Sequence, residues 1–285
     1  MIIPPRRNVV IENIRSAVEK GEFQSIVEPD DPILTPQQSK EFVENYLLKR
    51  KSISFRLKSF AVRKFANLSN LYFKTKTDIV GFEKLPEISG GAIITSNHFS
   101  PTDHAPIRIL TKKLGRKRIN VLSKDTNFFI PGAIGILLKY ADTIPVSPDI
   151  NYMKHGLPSV ISELFKNNEF LLVYPEQEMW FHYRKPRPLK RGAYQFAAEM
   201  DVPIISCFTE LIETPKKHRS GFNKIRYRLH VLGVLCPDKS LSVRENSLKL
   251  CAADYELKKN AYEKIYQKKL LYDFSVSDIA GAPQT

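Results

Sequence analysis

The sequence predicts an α/β protein: a mostly parallel central sheet flanked by helices, with an N-terminal helical segment in front of it. Three observations predict this. From Thr77 onward, short apolar runs alternate with helical patterns, which is how βα units of a parallel sheet read. The run Ala92-Ile93-Ile94 has the length and β-branched content of a buried strand, and residues 170–174 form a second apolar run. Before Thr77 the apolar residues recur at helical spacing instead.

The elements follow in order. Residues 1–35 read as an arm with one helix over 10–20, broken by Pro29-Asp30-Asp31-Pro32. Thr35-Pro36-Gln37-Gln38 starts a second helix, with Thr35 as cap and Pro36 at the first position. With a break, the helical pattern runs to Tyr72. Strands are predicted over 78–82, 92–96, 119–123, 143–146, 170–174, 203–208 and 226–235, the last nearer an edge. Helices are predicted over 101–114, 131–139 and 153–167, in a segment ending near Met200, and over 246–271. The Ser/Asp/Gly/Pro-rich tail is expected to fray. The natural division is a basic helical segment, 1–76, and an α/β domain, 77–285.

Composition narrows the function. With 285 residues, 42% hydrophobic and 26% charged, the chain has material for a sizeable core. A formal charge of +14 points to anionic partners. Cys207, Cys236 and Cys251 are too few and too irregular for a disulfide framework or a zinc site, so free thiols in a reducing compartment are expected. The first residues lack the apolar core of a signal peptide. The longest uncharged apolar-rich run, 126–138, contains Pro131 and falls short of the roughly 18 residues of a spanning helix. A soluble or peripheral protein is expected.

The charge is not evenly spread. From Asn45 to Thr77 there is no acidic residue, and nine are basic: Lys49, Arg50, Lys51, Arg56, Lys58, Arg63, Lys64, Lys74 and Lys76. Ile53, Leu57, Phe60, Ala61, Leu68 and Tyr72 recur at helical spacing among them. Such a helix either lies on an anionic membrane surface, apolar face inward, or packs that face on its own protein and solvates its lysines. No recognised nucleic-acid motif accompanies the charge.

Chemistry concentrates where predicted strands end. The 92–96 strand delivers Asn97 and His98, followed by a helix start: Ser100 as cap, Pro101 at the first position and Asp103 at the third. That edge of an open α/β sheet is where ligands bind. A His and a carboxylate brought together there form an oriented general base. By spacing alone, Asp103 is equally a helix-capping residue and His98 a turn residue. The 170–174 strand delivers Glu176, Gln177 and Glu178, followed by Arg184, Lys185, Arg187, Lys190 and Arg191. This is either a phosphate-binding cluster or a solvated basic loop. Lys124 closes the 119–123 strand in the same way. The dense patch Met179-Trp180-Phe181-His182-Tyr183 reads as a pocket wall, a lid or a membrane contact. A Gly-rich phosphate loop and a GxSxG nucleophile elbow are both absent.

Taken together, these stretches resemble a known family. Asn97-His98-x-Ser100-x-x-Asp103 is similar to the NHxxxxD box of the PlsC-type lysophospholipid (1-acylglycerol-3-phosphate) acyltransferases. Val121-x-x-Lys124-Asp125 with Pro131 and Gly135 resembles the next segment, and Thr143-Ile144-Pro145-Val146 the second box. Val173-Tyr174-Pro175-Glu176 resembles the start of the FPEGTRS box, and Lys190-x-Gly192-Ala193 with Val202-Pro203-Ile204-Ile205 the segment that closes it. The chain departs from the family twice. Ser147-Pro148 stands where the second box ends in an acidic residue and Arg, and Gln177-Glu178-Met179 stands where the third continues Gly-Thr-Arg.

The resemblance implies acyl transfer from a thioester, acyl-CoA or acyl carrier protein, to a hydroxyl of a lysophospholipid or related glycerolipid. It implies His98 as base, Asp103 as its orienting carboxylate, and backbone N–H groups at the following helix start for the oxyanion. Substrate contacts are then expected from Asn97, Ser100, Lys124, Glu176, Gln177, Arg184, Lys190 and Arg191. No metal or cofactor is called for. The expected location is cytoplasmic, peripheral on the inner face of the membrane, with nucleic acid not a partner. The two missing arginines imply that Lys154 and the 184–191 cluster take the phosphate, or that the acceptor headgroup differs. The competing readings are a non-catalytic basic protein on the same fold, binding lipid or nucleic acid, and a hydrolytic thioesterase.

Overall fold

The computed structural model describes residues 6–29, 32–74 and 77–283, with the side chains of 66–74 outside the description. Leu68, Tyr72, Lys74, Lys76, Asp30 and Asp31 therefore lie outside the described side chains. Three helices come first: α1 (Arg7–Glu19), α2 (Pro36–Lys49) and α3 (Ile53–Lys74). Then β1 (Thr77–Val80), β2 (Ala92–Thr95), α4 (His104–Lys113), β3 (Ile119–Lys124), α5 (Gly132–Tyr140), β4 (Thr143–Val146), α6 (Leu157–Lys166), β5 (Phe170–Val173) and α7 (Gly192–Glu199) alternate. The chain closes with β6 (Ile204–Lys217), β7 (Asn223–Leu235) and α8 (Val243–Tyr266). Thr35 caps α2 as predicted, in a reciprocal capping box with Gln38.

One seven-stranded sheet has the order β1-β7-β6-β2-β5-β3-β4. Every pairing is parallel except β6–β7. The predicted α/β class is therefore the observed one, with one correction: β6 and β7 are longer than predicted and form a hairpin of 14- and 13-residue strands, with β7 near the edge as expected, next to β1. Their outer halves carry alternating burial, and this period-two pattern at a hairpin tip gives a weaker sequence signal than a continuous apolar run.

β2 and β5 lie in the middle and are buried at every position. Alternation sends Ile93 and Leu171 into a core with α6, α7 and α8, and Ala92, Ile94 and Leu172 into a core with α4. Gly91 opens β2 because the Phe165 ring lies 2.6 Å from where a Cβ would stand.

Two features could not be read from sequence pattern. Asp254 and Lys258 look like a surface pair one helical turn apart, yet both are fully buried beneath β2. Thr95, Ser206 and Tyr194 hydroxyls complete their hydrogen bonds, which is what makes a buried ion pair tolerable. The tail, expected to fray, is also packed. Ile279 and Ala280 are buried, Tyr183 bridges to Ile279, and Lys185 pairs with Asp273 and with Asp278 at 2.9 Å.

The aromatic patch belongs to this packed region. Trp180, Phe181 and Tyr183 are buried against Val10, Ile14 and Val18 of α1, with Phe222 and Ile279. The patch is core rather than a lid, and α1 packs on the α/β body. By contrast, α3 leaves Ile53, Leu57, Phe60 and Phe65 between 56% and 76% exposed. No helix among the described residues is long and apolar enough to cross a membrane.

Candidate active site

β2 ends at Thr95, and the chain then turns through Ser96 to Asp103 before α4 begins at His104. The helix therefore starts three residues later than Ser100-Pro101 predicts. The reason is Asp103. Its Oδ2 accepts the Phe99 and Ser100 N–H groups at 3.0 and 3.2 Å, closing the turn from within. Those two N–H groups are thereby occupied by the protein itself.

The same Oδ2 lies 2.7 Å from His98 Nδ1. Asp103 is buried while the His98 side chain keeps 21% exposure. A carboxylate at Nδ1 accepts its proton, which assigns the tautomer: Nε2 carries the lone pair. Nε2 makes no hydrogen bond among the described residues. The pairing left open by sequence spacing is thus formed.

Tyr174, one residue beyond β5, completes the arrangement, and sequence reasoning gave it no role. Its ring stacks on His98 with centroids 4.1 Å apart and planes 10° from parallel. Its hydroxyl donates to Asp103 Oδ1 at 2.5 Å. Burial first, then the Asp103 charge and hydrogen bond, push the phenol well above its ordinary value, so it stays a donor. The signal lay in topology: β5 pairs with β2 in register, Thr95 opposite Val173, so the next residues emerge side by side.

Glu176 is buried and fully occupied. Its Oε2 accepts the His98 N–H at 3.2 Å and Arg187 Nη2 at 3.0 Å, and its Oε1 accepts the Arg187 N–H at 3.1 Å. Arg187 itself has no exposure, lies over the Trp180 ring, and donates to Phe23 O at 2.9 Å. The 184–191 stretch is therefore no solvated basic loop at its centre, because Lys185 and Arg187 are interior ion-pair partners. On the other side, Trp180 and His182 N–H groups donate to the carbonyls of His98 and Phe99 at 3.1 and 2.9 Å. The backbone of His98 is thus held at both its N–H and its carbonyl.

The remaining predicted contacts divide. Asn97 is buried and exchanges two bonds with Thr209, and Ser100 is buried against Thr102 and Tyr227. Like Glu176, both were expected to face a ligand and are instead engaged by the protein itself. Arg184 pairs with Glu213 and donates to Ser277 O at 2.7 Å. Gln177, Lys190 and Arg191 are exposed, and Lys190 N–H donates to Pro175 O at 2.8 Å, beside the 174–176 turn. Lys124 ends β3 at the same sheet edge, exposed, 3.5 Å from Glu178. Among the described residues no cluster of His, Cys, Asp or Glu has the makings of a metal site.

An α/β sheet thus presents a carboxylate-oriented imidazole at its carboxyl edge, an arrangement chemically able to act as a general base. Residues 76–210 match the family model described as Acyltransferase. The whole fold is similar to that of the 1-acyl-sn-glycerophosphate (LPA) acyltransferase PlsC from Thermotoga maritima, with a TM-score of 0.51 and 16% identity over 94% of this chain and 100% of that one. No curated protein sequence matches the chain. The sequence match thus covers residues 76–210, and the structural match extends the likeness of fold to the rest of the chain.

Proposed function

We propose that the protein is a peripheral-membrane O-acyltransferase. It moves a fatty acyl group from a thioester, acyl-CoA or acyl carrier protein, to a hydroxyl of a lysophospholipid or related glycerolipid. The observation that carries this reading is the His98–Asp103 pair at 2.7 Å with Nε2 left unpartnered. His98 Nε2 takes the acceptor hydroxyl proton as that oxygen bonds to the thioester carbonyl carbon. The carbon–sulfur bond then breaks, and the departing thiolate receives the proton from His98. A positioned base of this kind contributes on the order of 10²–10⁴-fold in rate. Asp103 holds the tautomer and stabilises the imidazolium, and Tyr174 holds Asp103. Glu176, Asn97 and Ser100 act as positioning residues, since each is bonded to the segment carrying His98 or lies within it.

The acceptor headgroup falls to exposed cations on the same edge. Lys190 and Arg191 are exposed, and Lys124, exposed as well, reaches only Glu178 at 3.5 Å, whereas Arg184 is held at 2.5 Å by Glu213. Membrane contact falls to α3. Exposed Ile53, Leu57 and Phe65 beside Lys51, Arg56, Lys58 and Lys64 suit an interface of anionic lipid, which supports a peripheral position on the inner face of the membrane.

The test is thiol release from acyl-CoA and from acyl carrier protein with a panel of lysolipid acceptors, products identified by mass. Acceptor-dependent release supports transfer. Release without any acceptor indicates a thioesterase, and no release with either donor indicates a binding protein.

A further inference from the structure

A second site lies at the opposite edge of the sheet. A cavity of about 520 Å³ opens between the end of α2, the first turns of α3, the end of α5 and the starts of β3 and β4. β2, β5, β3 and β4 run parallel, so their amino ends face away from His98, which follows the carboxyl end of β2. This cavity is therefore separate from the site above.

Its wall carries five cations, Arg50, Arg56, Arg63, Arg118 and Lys139, against two carboxylates, Asp142 and Glu169. Arg63 pairs with Asp142 at 2.8 Å and Arg118 with Glu169 at 3.4 Å. Arg50, Arg56 and Lys139 have no ion-pair partner among the described residues. Three buried polar atoms on this wall also lack a hydrogen-bond partner: the donors Arg50 Nη1 and Ser59 Oγ, and the acceptor Asp142 Oδ2. Buried polar groups are nearly always satisfied, so these three ask for a group that accepts at one point and donates at another. A phosphate next to a free hydroxyl does both. The mouth adds an apolar strip, Ile53, Leu57 and Phe60, each more than half exposed, for which a free anion has no use.

We propose that this cavity binds one anionic phospholipid with a hydroxyl-bearing headgroup. Its phosphate sits on Arg50, Arg56 and Lys139, its hydroxyl on Asp142, and its chains run along Ile53, Leu57 and Phe60. The proposal goes beyond acyl transfer and does not depend on it.

The test is calorimetric titration of the full-length protein with dihexanoyl phosphatidylglycerol below its micelle concentration. One saturable site is expected, weakened at least tenfold in R50Q/R56Q and about tenfold in L57S, and unchanged in H98A. R56Q/K139Q replaces two exposed cations and serves if the Arg50 variant does not fold. Unchanged affinity in a folded cation variant overturns the proposal. Equal affinity for dihexanoyl phosphatidylcholine overturns it too. Inorganic phosphate bound as tightly, with the same cation dependence, reassigns the cavity to a free anion and overturns the lipid. Loss of binding in H98A returns the lipid to the catalytic edge and also overturns it.

Discussion

The two edges of the sheet differ in how their polar groups are employed. At the carboxyl edge, Asp103, Tyr174, Glu176, Arg187 and Asn97 all have internal partners, and His98 Nε2 is left over. At the amino edge, cations and apolar side chains of α3 stand exposed, and buried atoms of Arg50, Ser59 and Asp142 lack partners. The first arrangement is preorganised, with little freedom left to lose when a reaction begins. The second is unfinished without something anionic and apolar laid against it. Substitutions at the two edges should therefore fail differently, the first in turnover or stability, the second in surface binding.

The largest expected effect tests the preorganised edge. Asp103→Asn retains an oxygen for the Phe99 and Ser100 N–H groups but removes the charge facing the imidazolium. Its kcat should fall on the order of 10²–10⁴-fold with the melting profile nearly kept. A kcat within about threefold of wild type would break the comparison, because Asp103 would then be only a turn-closing residue.

Next comes Arg187→Met. Removing one partner of a fully buried ion pair leaves Glu176 uncompensated, so urea unfolding should show a loss of about 3–5 kcal/mol. A loss under about 1 kcal/mol would mean that Glu176 is not held as the geometry has it.

A smaller effect concerns pH. Burial lowers the His182 imidazole from its ordinary 6.5 to about 4, against the opposing bond to Ala280 O. The unfolded chain therefore binds a proton that the folded one refuses. Stability from this group is intact above pH 6.5 and is lost as the pH falls toward 4. The full share is on the order of 3 kcal/mol. His182→Asn suits the left-handed backbone there, at φ 51°, and keeps a donor for Ala280 O. It should lose less stability than wild type over that interval, and equal slopes in paired denaturant titrations would contradict this.

The smallest effect sharpens the other edge. Leu57→Ser and Phe65→Ser together should weaken partitioning onto anionic vesicles about tenfold, with thermal stability unchanged because both side chains are exposed. Unchanged partitioning would move membrane contact away from α3.

Much of the preorganised edge was legible in sequence. A buried strand followed by a polar turn places residues at a sheet edge whatever the partner strands do, so His98, Asp103 and Glu176 could be put there from their own neighbours. What their atoms bond to depends on which strands adjoin, and that is set by distant residues. Tyr174 reaches Asp103 only because β5 lies beside β2, and Arg187 reaches Glu176 only because its loop folds inward against Trp180. Charge pattern misled for the same reason. Lys258, Asp254, Lys185 and Arg187 carry the charge pattern of a surface, yet all four are buried, Lys258 with Asp254, Lys185 with Asp278 and Arg187 with Glu176. The basic run before Thr77 was visible as composition, but only the packing of α3 decides that Ser59 faces inward while Leu57 and Phe65 face out.

The most direct test of the account is acceptor-dependent thiol release by His98→Ala beside the wild-type protein, with both shown to be folded by circular dichroism. The account predicts a rate in the variant indistinguishable from the donor's background hydrolysis, at an unchanged melting temperature. Wild-type turnover in the folded variant would contradict it.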